Sequence, residues 1–258
     1  MKSLFALMAL LLAATVAPAA PDTRCFEMRV YYAPEGKLDA LHARFRDHTL
    51  KLFTKHGMTN LGYFVPIGEN PERKLVYFLA YPSLEARNAA WKAFMADPDW
   101  QAAHKASEVG GKLVAKVESA YLSATDYSPL AKAENVGNRV FELRTYTTEP
   151  GRLPNLNARF RDHTLKLFAK HGITNLPYWV PMADQKGAVN PPDVNNTLIY
   201  LLAHASQDAA KASFGNFGKD PDWQAARKAS EDKAGGSLTI KGGVKGVFLV
   251  PTDYSPVK

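Results

Sequence analysis

The chain has 258 residues, a formal net charge of +7 and one cysteine, Cys25. A single cysteine excludes an internal disulfide and a cysteine-rich metal site, so the core must hold by packing alone. Lysines and arginines stand singly among acids rather than in runs, which argues against nucleic-acid binding and leaves a mild preference for anionic small molecules.

The first residues, MKSLFALMALLLAATVAPA, combine Lys2, an apolar run from Leu4 to Val16 and the small-residue pattern Ala17-Pro18-Ala19. This reads as a signal peptide over residues 1–19, cleaved after Ala19. The run is shorter than the roughly 20 residues that span a bilayer, and no second one follows, so no integral membrane span is expected after cleavage. No twin arginine precedes the run, and Cys25 follows Asp22-Thr23-Arg24 rather than a lipid-attachment pattern. The expected destination is periplasmic or secreted, with the charge falling from +7 to +6 as Lys2 leaves.

Residues 25–32 alternate Phe26, Met28 and Val30 with Glu27, Arg29 and Tyr31, the period of a strand with two different faces. From Leu38 the spacing turns helical. Leu38, Leu41, Phe45, Thr49, Leu52 and His56 share one sector, and Gly57 stands where a left-handed residue ends a helix. Residues 63–66 and 75–81 are short aromatic and β-branched runs between Gly, Asn and Pro, which predicts two antiparallel strands. Ser83 then caps a helix carrying Trp91 and Phe94, and Asp97-Pro98 restarts it with Asp as cap and Pro in the first turn. Gly110-Gly111 closes the helix before a strand over residues 113–123.

The whole pattern then recurs. FEMR at Phe26 returns as FELR at Phe141, and ARFRDHTLKLFTKHGMTNL from Ala43 returns as ARFRDHTLKLFAKHGITNL from Ala158. DPDW at Asp97 returns at Asp220, and TDYSP at Thr125 returns at Thr252. The offset grows from 115 to 123 between the first and third of these, so the second copy carries eight extra residues in a Pro-, Asn- and Gly-rich loop near 184–196. A period this long indicates duplicated domains, expected over residues 24–129 and 139–256 with a polar linker at 130–138. Each copy reads β-α-β-β-α-β, the ferredoxin-like order, an antiparallel sheet with both helices on one face. The fold class is therefore α+β. The helix-free faces are expected to pack sheet to sheet, as an intramolecular dimeric α+β barrel, because neither can be left wet. Glu27, Arg29 and Tyr31, with Tyr77, Leu79 and Tyr81, are expected on that shared interior.

These residues carry a resemblance. The FELRTYT strand, RFRDHTLKLFxKHG, the Tyr-aromatic-Val-Pro strand at Tyr63 and Tyr178, LLAHAS at 201–206, DPDW and TDYSP together resemble the NipSnap family in two tandem copies. The resemblance implies a dimeric α+β barrel, a group whose other branches include small monooxygenases, haem-degrading enzymes and isomerases. The first copy departs from it at Ala80-Tyr81-Pro82-Ser83, where the second has Ala203-His204-Ala205-Ser206, so a role for His204 could exist in one half only.

Standard catalytic and nucleotide-binding signatures are missing, and no cofactor or metal is expected. His48 and His56 lie eight residues apart, about 12 Å along a helix, too far to share one metal ion. His56 suits the free carbonyls of the last helical turn, and His48 the edge of the apolar sector. Arg44, Asp47 and Lys51 read as a solvated charge ladder, with Arg46 on the opposite flank able to reach an anion. Buried charges must be paired, so Glu27 with Arg29 and Glu142 with Arg144 read as networks that either lock the sheets or leave an arginine for a carboxylate beside Tyr31 or Tyr146. The ligand-binding candidates are thus Arg29, Tyr31, Arg46, His48 and Tyr63, their equivalents Arg144, Tyr146, Arg161, His163 and Tyr178, and His204. Leu50 and Leu165 sit on an otherwise polar face and suggest contact with another helix or another subunit. Three functions fit: a small-molecule binding protein, a cofactor-free monooxygenase or isomerase, and a non-catalytic interaction module.

Overall fold

A computed structural model describes residues 21–258; the expected signal segment lies outside them. The first half runs β1 (Cys25–Tyr32), α1 (Leu38–Arg44), a π-helical turn (Phe45–Thr49), α2 (Leu50–Lys55), β2 (Thr59–Pro66), β3 (Lys74–Tyr81), α3 (Leu84–Ala96), α4 (Pro98–Ser107) and β4 (Lys116–Ala124). The second repeats it as β5 (Val140–Thr148), α5 (Leu153–Arg159), a second π turn (Phe160–Thr164), α6 (Leu165–Lys170), β6 (Thr174–Pro181), β7 (Thr197–His204), α7 (Gln207–Lys219), α8 (Pro221–Ala234) and β8 (Thr239–Pro251). The strands close into one barrel in the order β1-β3-β2-β8-β5-β7-β6-β4. The halves meet along two antiparallel seams, β2 with β8 around Val65↔Val250 and β4 with β6 around Ser123↔Val180. Closure leaves neither sheet a free edge.

The barrel interior is apolar, not polar. Phe26, Val30, Phe64, Phe78 and Leu122 of the first half meet Phe141, Trp179, Ile199, Leu201 and Leu249 of the second. The alternation expected for β1 holds, but its faces are reversed: Glu27, Arg29 and Tyr31 point outward under the helices, with Tyr77, Leu79 and Tyr81. The reason is chemical. α3 brings Arg87 and Trp91 to meet the Glu27 carboxylate, whereas the opposite sheet offers it no cation, only apolar and aromatic side chains.

The π turns explain a second difference. Each holds one residue more than an α-helical path needs, so everything after it is rotated by about 100° relative to a continuous helix. The Thr49 and Thr164 hydroxyls donate to the carbonyls of Arg44 and Arg159, both at 3.1 Å, inside these turns. Phe53 and Phe168 thereby enter the core, and Leu50 and Leu165 pack against the margins of their own cores instead of pointing away from them. Arg44 is buried rather than solvated, because α4 runs alongside and offers Glu108 at 3.0 Å, while Asp47 and Lys51 remain exposed.

The caps form as expected: Ser83 and Ser206 accept the backbone N–H of Ala86 and Ala209, and Asp97 and Asp220 those of Asp99 and Asp222. His56 does not cap carbonyls with its ring. Its Nε2 lies 2.6 Å from Asp97 Oδ2, and His171 repeats this with Asp220. Lys55, then His56, hold the Asp97 carboxyl far below the usual carboxylate range, and Lys170 and His171 do so for Asp220. A depressed carboxyl stabilises the fold above the unfolded-state value of about 4 and loses that contribution as the pH falls through its folded value. Thermal melts of Asp97→Asn/Asp220→Asn should therefore lie furthest below the unsubstituted protein above pH ~5, and the gap should narrow toward pH ~2. A gap independent of pH would show that the caps, not the charges, carry the effect.

Candidate functional site

Between the helices and the sheet of the first half lies a cleft of about 560 Å³, lined by Arg29, Tyr31, Arg44, Arg87, Trp91 and Glu108 among others. Behind Arg29 and Arg87 in its wall lies a fully buried carboxylate. Glu27 accepts from Arg29 Nη1 at 2.7 Å, Arg87 Nη2 at 2.7 Å, Trp91 Nε1 at 2.9 Å and the Tyr81 hydroxyl at 2.9 Å. Burial pushes its carboxyl upward, but Arg29 and Arg87 outweigh this and hold it below its ordinary range. Burial and the same carboxylate push the Tyr81 hydroxyl far up, so it stays a donor. Cys25, buried at the end of β1, is pushed up to about 11 by burial and then by Glu27, which leaves it a thiol and a poor nucleophile.

The second half builds the same network with different parts. Glu142 accepts from Arg144 Nη1 at 2.6 Å, and His204 stands where the first half has Tyr81, with Nε2 at 3.2 Å from Glu142 Oε2. Ala210 and Phe214 occupy the positions of Arg87 and Trp91. Arg144 Nε donates to the Tyr200 hydroxyl at 3.0 Å, yet its first-half equivalents, Arg29 Nε and Tyr77 Oη, are both buried without a hydrogen-bond partner. Two arginines face Glu27 and one faces Glu142. Arg44 and Glu108 balance each other at the rim, so the first cleft carries a surplus of positive charge that the second lacks.

The second half also roofs the first. In its long β6–β7 loop, Gln185 Oε1 accepts the Tyr121 N–H at 3.0 Å, its Nε2 donates to the Tyr121 carbonyl at 2.7 Å, and Val189 exchanges bonds of 2.8 and 2.9 Å with Ser119. Gly187 and Val189 of this loop line the cleft. The opposite position belongs to Gly246, paired with Arg144 as Ser119 is with Arg29; a Cβ there would collide with the Glu142 carboxylate.

Of the residues expected to bind a ligand, Arg29 and Tyr31 line this cleft, and Tyr63 lies buried beneath it, stacked on Tyr77 at 5.3 Å. Arg144, Tyr146, Tyr178 and His204 come together in the corresponding layer of the second half. Arg46 and Arg161 belong elsewhere: both are exposed, and each already holds an aspartate in bidentate fashion, Asp253 at 2.6 and 2.9 Å and Asp126 at 2.7 Å twice. His48 and His163 are exposed; each borders a surface groove between helices, His48 beside Leu52 and Ala103 and His163 beside Ala158 and Ala226, and neither lines the cleft between helices and sheet. Arg87 does not figure among the sequence-based expectations, and Trp91 and Arg44 figure there only as a helix aromatic and a solvated charge. Arg87, Trp91 and Phe94 share one face of α3 at i, i+4 and i+7, a signal that was present. Among the described residues, no group of three or more His, Cys, Asp or Glu stands together as a metal site, and no helix is long and apolar enough to cross a membrane.

A search of curated protein sequences returned no match. Among solved structures, a candidate monooxygenase from Lactobacillus acidophilus NCFM is 10% identical with a TM-score of 0.55, the match covering 89% of this chain and 94% of that one. An anthrone oxidase-like protein is 12% identical with a TM-score of 0.54, covering 90% and 92%. A NipSnap family protein of unknown function from Agrobacterium tumefaciens C58 is 26% identical with a TM-score of 0.37, covering 42% of this chain and 94% of that one. The NIPSNAP family profile matches residues 26–129 and again 141–256. The chain thus belongs to the NipSnap family, with two tandem NipSnap domains.

Proposed function

We propose that this is an exported protein, periplasmic or secreted, that binds a flat anionic small molecule in the helix–sheet cleft of its first ferredoxin-like half. The observation that carries the reading is the open pair Arg29 Nε and Tyr77 Oη, matched in the second half by a closed hydrogen bond. A buried donor or acceptor left unmade costs about 1–3 kcal/mol, so a ligand whose binding shifts Arg29 and gives these atoms partners gains that amount. The surplus cation favours a carboxylate or phenolate, and Trp91 and Tyr31, with Arg29 packed on their rings at 4.4 and 5.3 Å, give the cleft an aromatic wall. With 1-hydroxy-2-naphthoate as probe, calorimetry is expected to give one site per chain. Arg87→Ala should weaken binding by about tenfold or more, the worth of one charge-assisted hydrogen bond, while Arg144→Ala leaves it unchanged. Equal affinity in Arg87→Ala, or no saturable heat, would overturn the reading.

A second reading is favoured by the same surplus charge. Stabilised as its phenolate, a bound phenol becomes electron-rich enough to react with oxygen, which is the chemistry of a cofactor-free monooxygenase. Oxygen uptake by purified protein with phenolic and quinone-like compounds separates turnover from binding.

A further inference from the structure

A second cavity, of about 410 Å³, lies at one mouth of the barrel, on the side away from the Glu27 cleft. Its wall is built from equivalent positions of the two halves: Leu61 and Leu176, Phe64 and Trp179, Phe78 and Leu201. Residues 129–136 cross the mouth as a cover. That cover is tied down at both ends, since Arg24 donates to the Ala131 carbonyl and the Val136 N–H bonds the Lys258 carbonyl at 2.7 Å. Its own charges, Lys132 and Glu134, pair with each other, so they leave the cavity no net charge. A largely apolar cavity of this size falls in the range of ligand sites. Trp179, stacked on Phe78 at 5.2 Å, lines the cavity, and its indole N–H is a buried donor with no partner. Asn175, also in the wall, is already engaged with the Leu165 carbonyl and the Tyr178 hydroxyl.

We infer that the barrel mouth is a second binding site, for a neutral, largely aromatic molecule bearing one hydrogen-bond acceptor, held between the barrel wall and the 129–136 cover. An anion is disfavoured because no unpaired cation lines the wall, and a purely hydrocarbon ligand leaves the indole N–H unmet. The site is independent of the cleft on the helix side.

The test uses a matched pair of probes, 1-acetylnaphthalene and 1-ethylnaphthalene, which share a shape and differ in the carbonyl. Ligand-observed NMR titration of the mature protein, residues 20–258, should show saturable binding, with the ketone favoured about fivefold, the worth of one net hydrogen bond. Trp179→Phe should abolish that preference while keeping the ethyl probe's affinity. Leu176→Trp, at the half-buried rim, should weaken both probes by about tenfold or more by filling the mouth, and Leu61→Trp serves as its mirror if the first variant unfolds. Arg87→Ala should change neither. The inference is overturned if neither probe saturates, if the ketone preference survives in Trp179→Phe, or if 1-hydroxy-2-naphthoate competes with both.

Discussion

Glu27→Gln should destabilise the protein by about 3–5 kcal/mol, the cost of leaving buried cations without their counter-ion. The carboxylate is fully buried, and its two oxygens accept from two guanidiniums, an indole and a phenol. A neutral amide cannot compensate Arg29 and Arg87 together, and its NH2 group would face donors where the second oxygen stood. The equivalent Glu142→Gln should cost less, about 1–3 kcal/mol, because only Arg144 and His204 converge there. Urea denaturation of both variants checks the pair. Equal losses would mean that Arg87 adds nothing to the burden on Glu27, and the surplus charge assigned to the first cleft would go with it.

The duplication was legible because it is written twice: the strand periods, the Ser and Asp caps and the helix-free faces all follow from local pattern, and the closed barrel honours them. Which face of β1 turned inward was not legible. Alternation tells that two faces differ, but choosing between them needs the partner, and the partner of Glu27 is Arg87, sixty residues on in an element read only for its caps and aromatics. A second difference has a local cause. RFRDHTL fits an uninterrupted helix as well as one with a π turn, so periodicity alone puts Leu50 on the wrong flank, although Leu52 stays on the core side as expected. The cleft's asymmetry, by contrast, was half visible: the Tyr81/His204 exchange and the extra loop stood out, while Arg87/Ala210 became meaningful only when both faced a carboxylate.

Tyr254→Ala should cost about 2–4 kcal/mol, although it alters a residue beyond the last strand. The repeated TDYSP segment is a strap exchanged between the halves. Thr252 of the second half donates its N–H to the Tyr63 carbonyl at 2.9 Å, and Ser255 Oγ accepts the Tyr63 N–H at 3.0 Å. Tyr254 then lies over Phe45 and Tyr63, at 6.3 and 5.6 Å, with its hydroxyl 2.7 Å from His42 Nδ1. In return, Thr125 and Ser128 of the first half bind Tyr178, and Tyr127 lies over Phe160 and reaches Asn157 at 2.8 Å. Each strap thus continues a seam of the barrel, β8 onto β2 and β4 onto β6, so removing its aromatic ring loosens the join between halves rather than one half alone. Tyr127→Ala should show a similar loss, and either variant should be cut faster by protease within residues 130–138. Asp253→Ala, which breaks only an exposed ion pair with Arg46, should barely move the melt. A change below about 0.5 kcal/mol for Tyr254→Ala, the size expected of an ordinary surface position, would mean that the seams hold by their strand pairing and the straps merely lie on them.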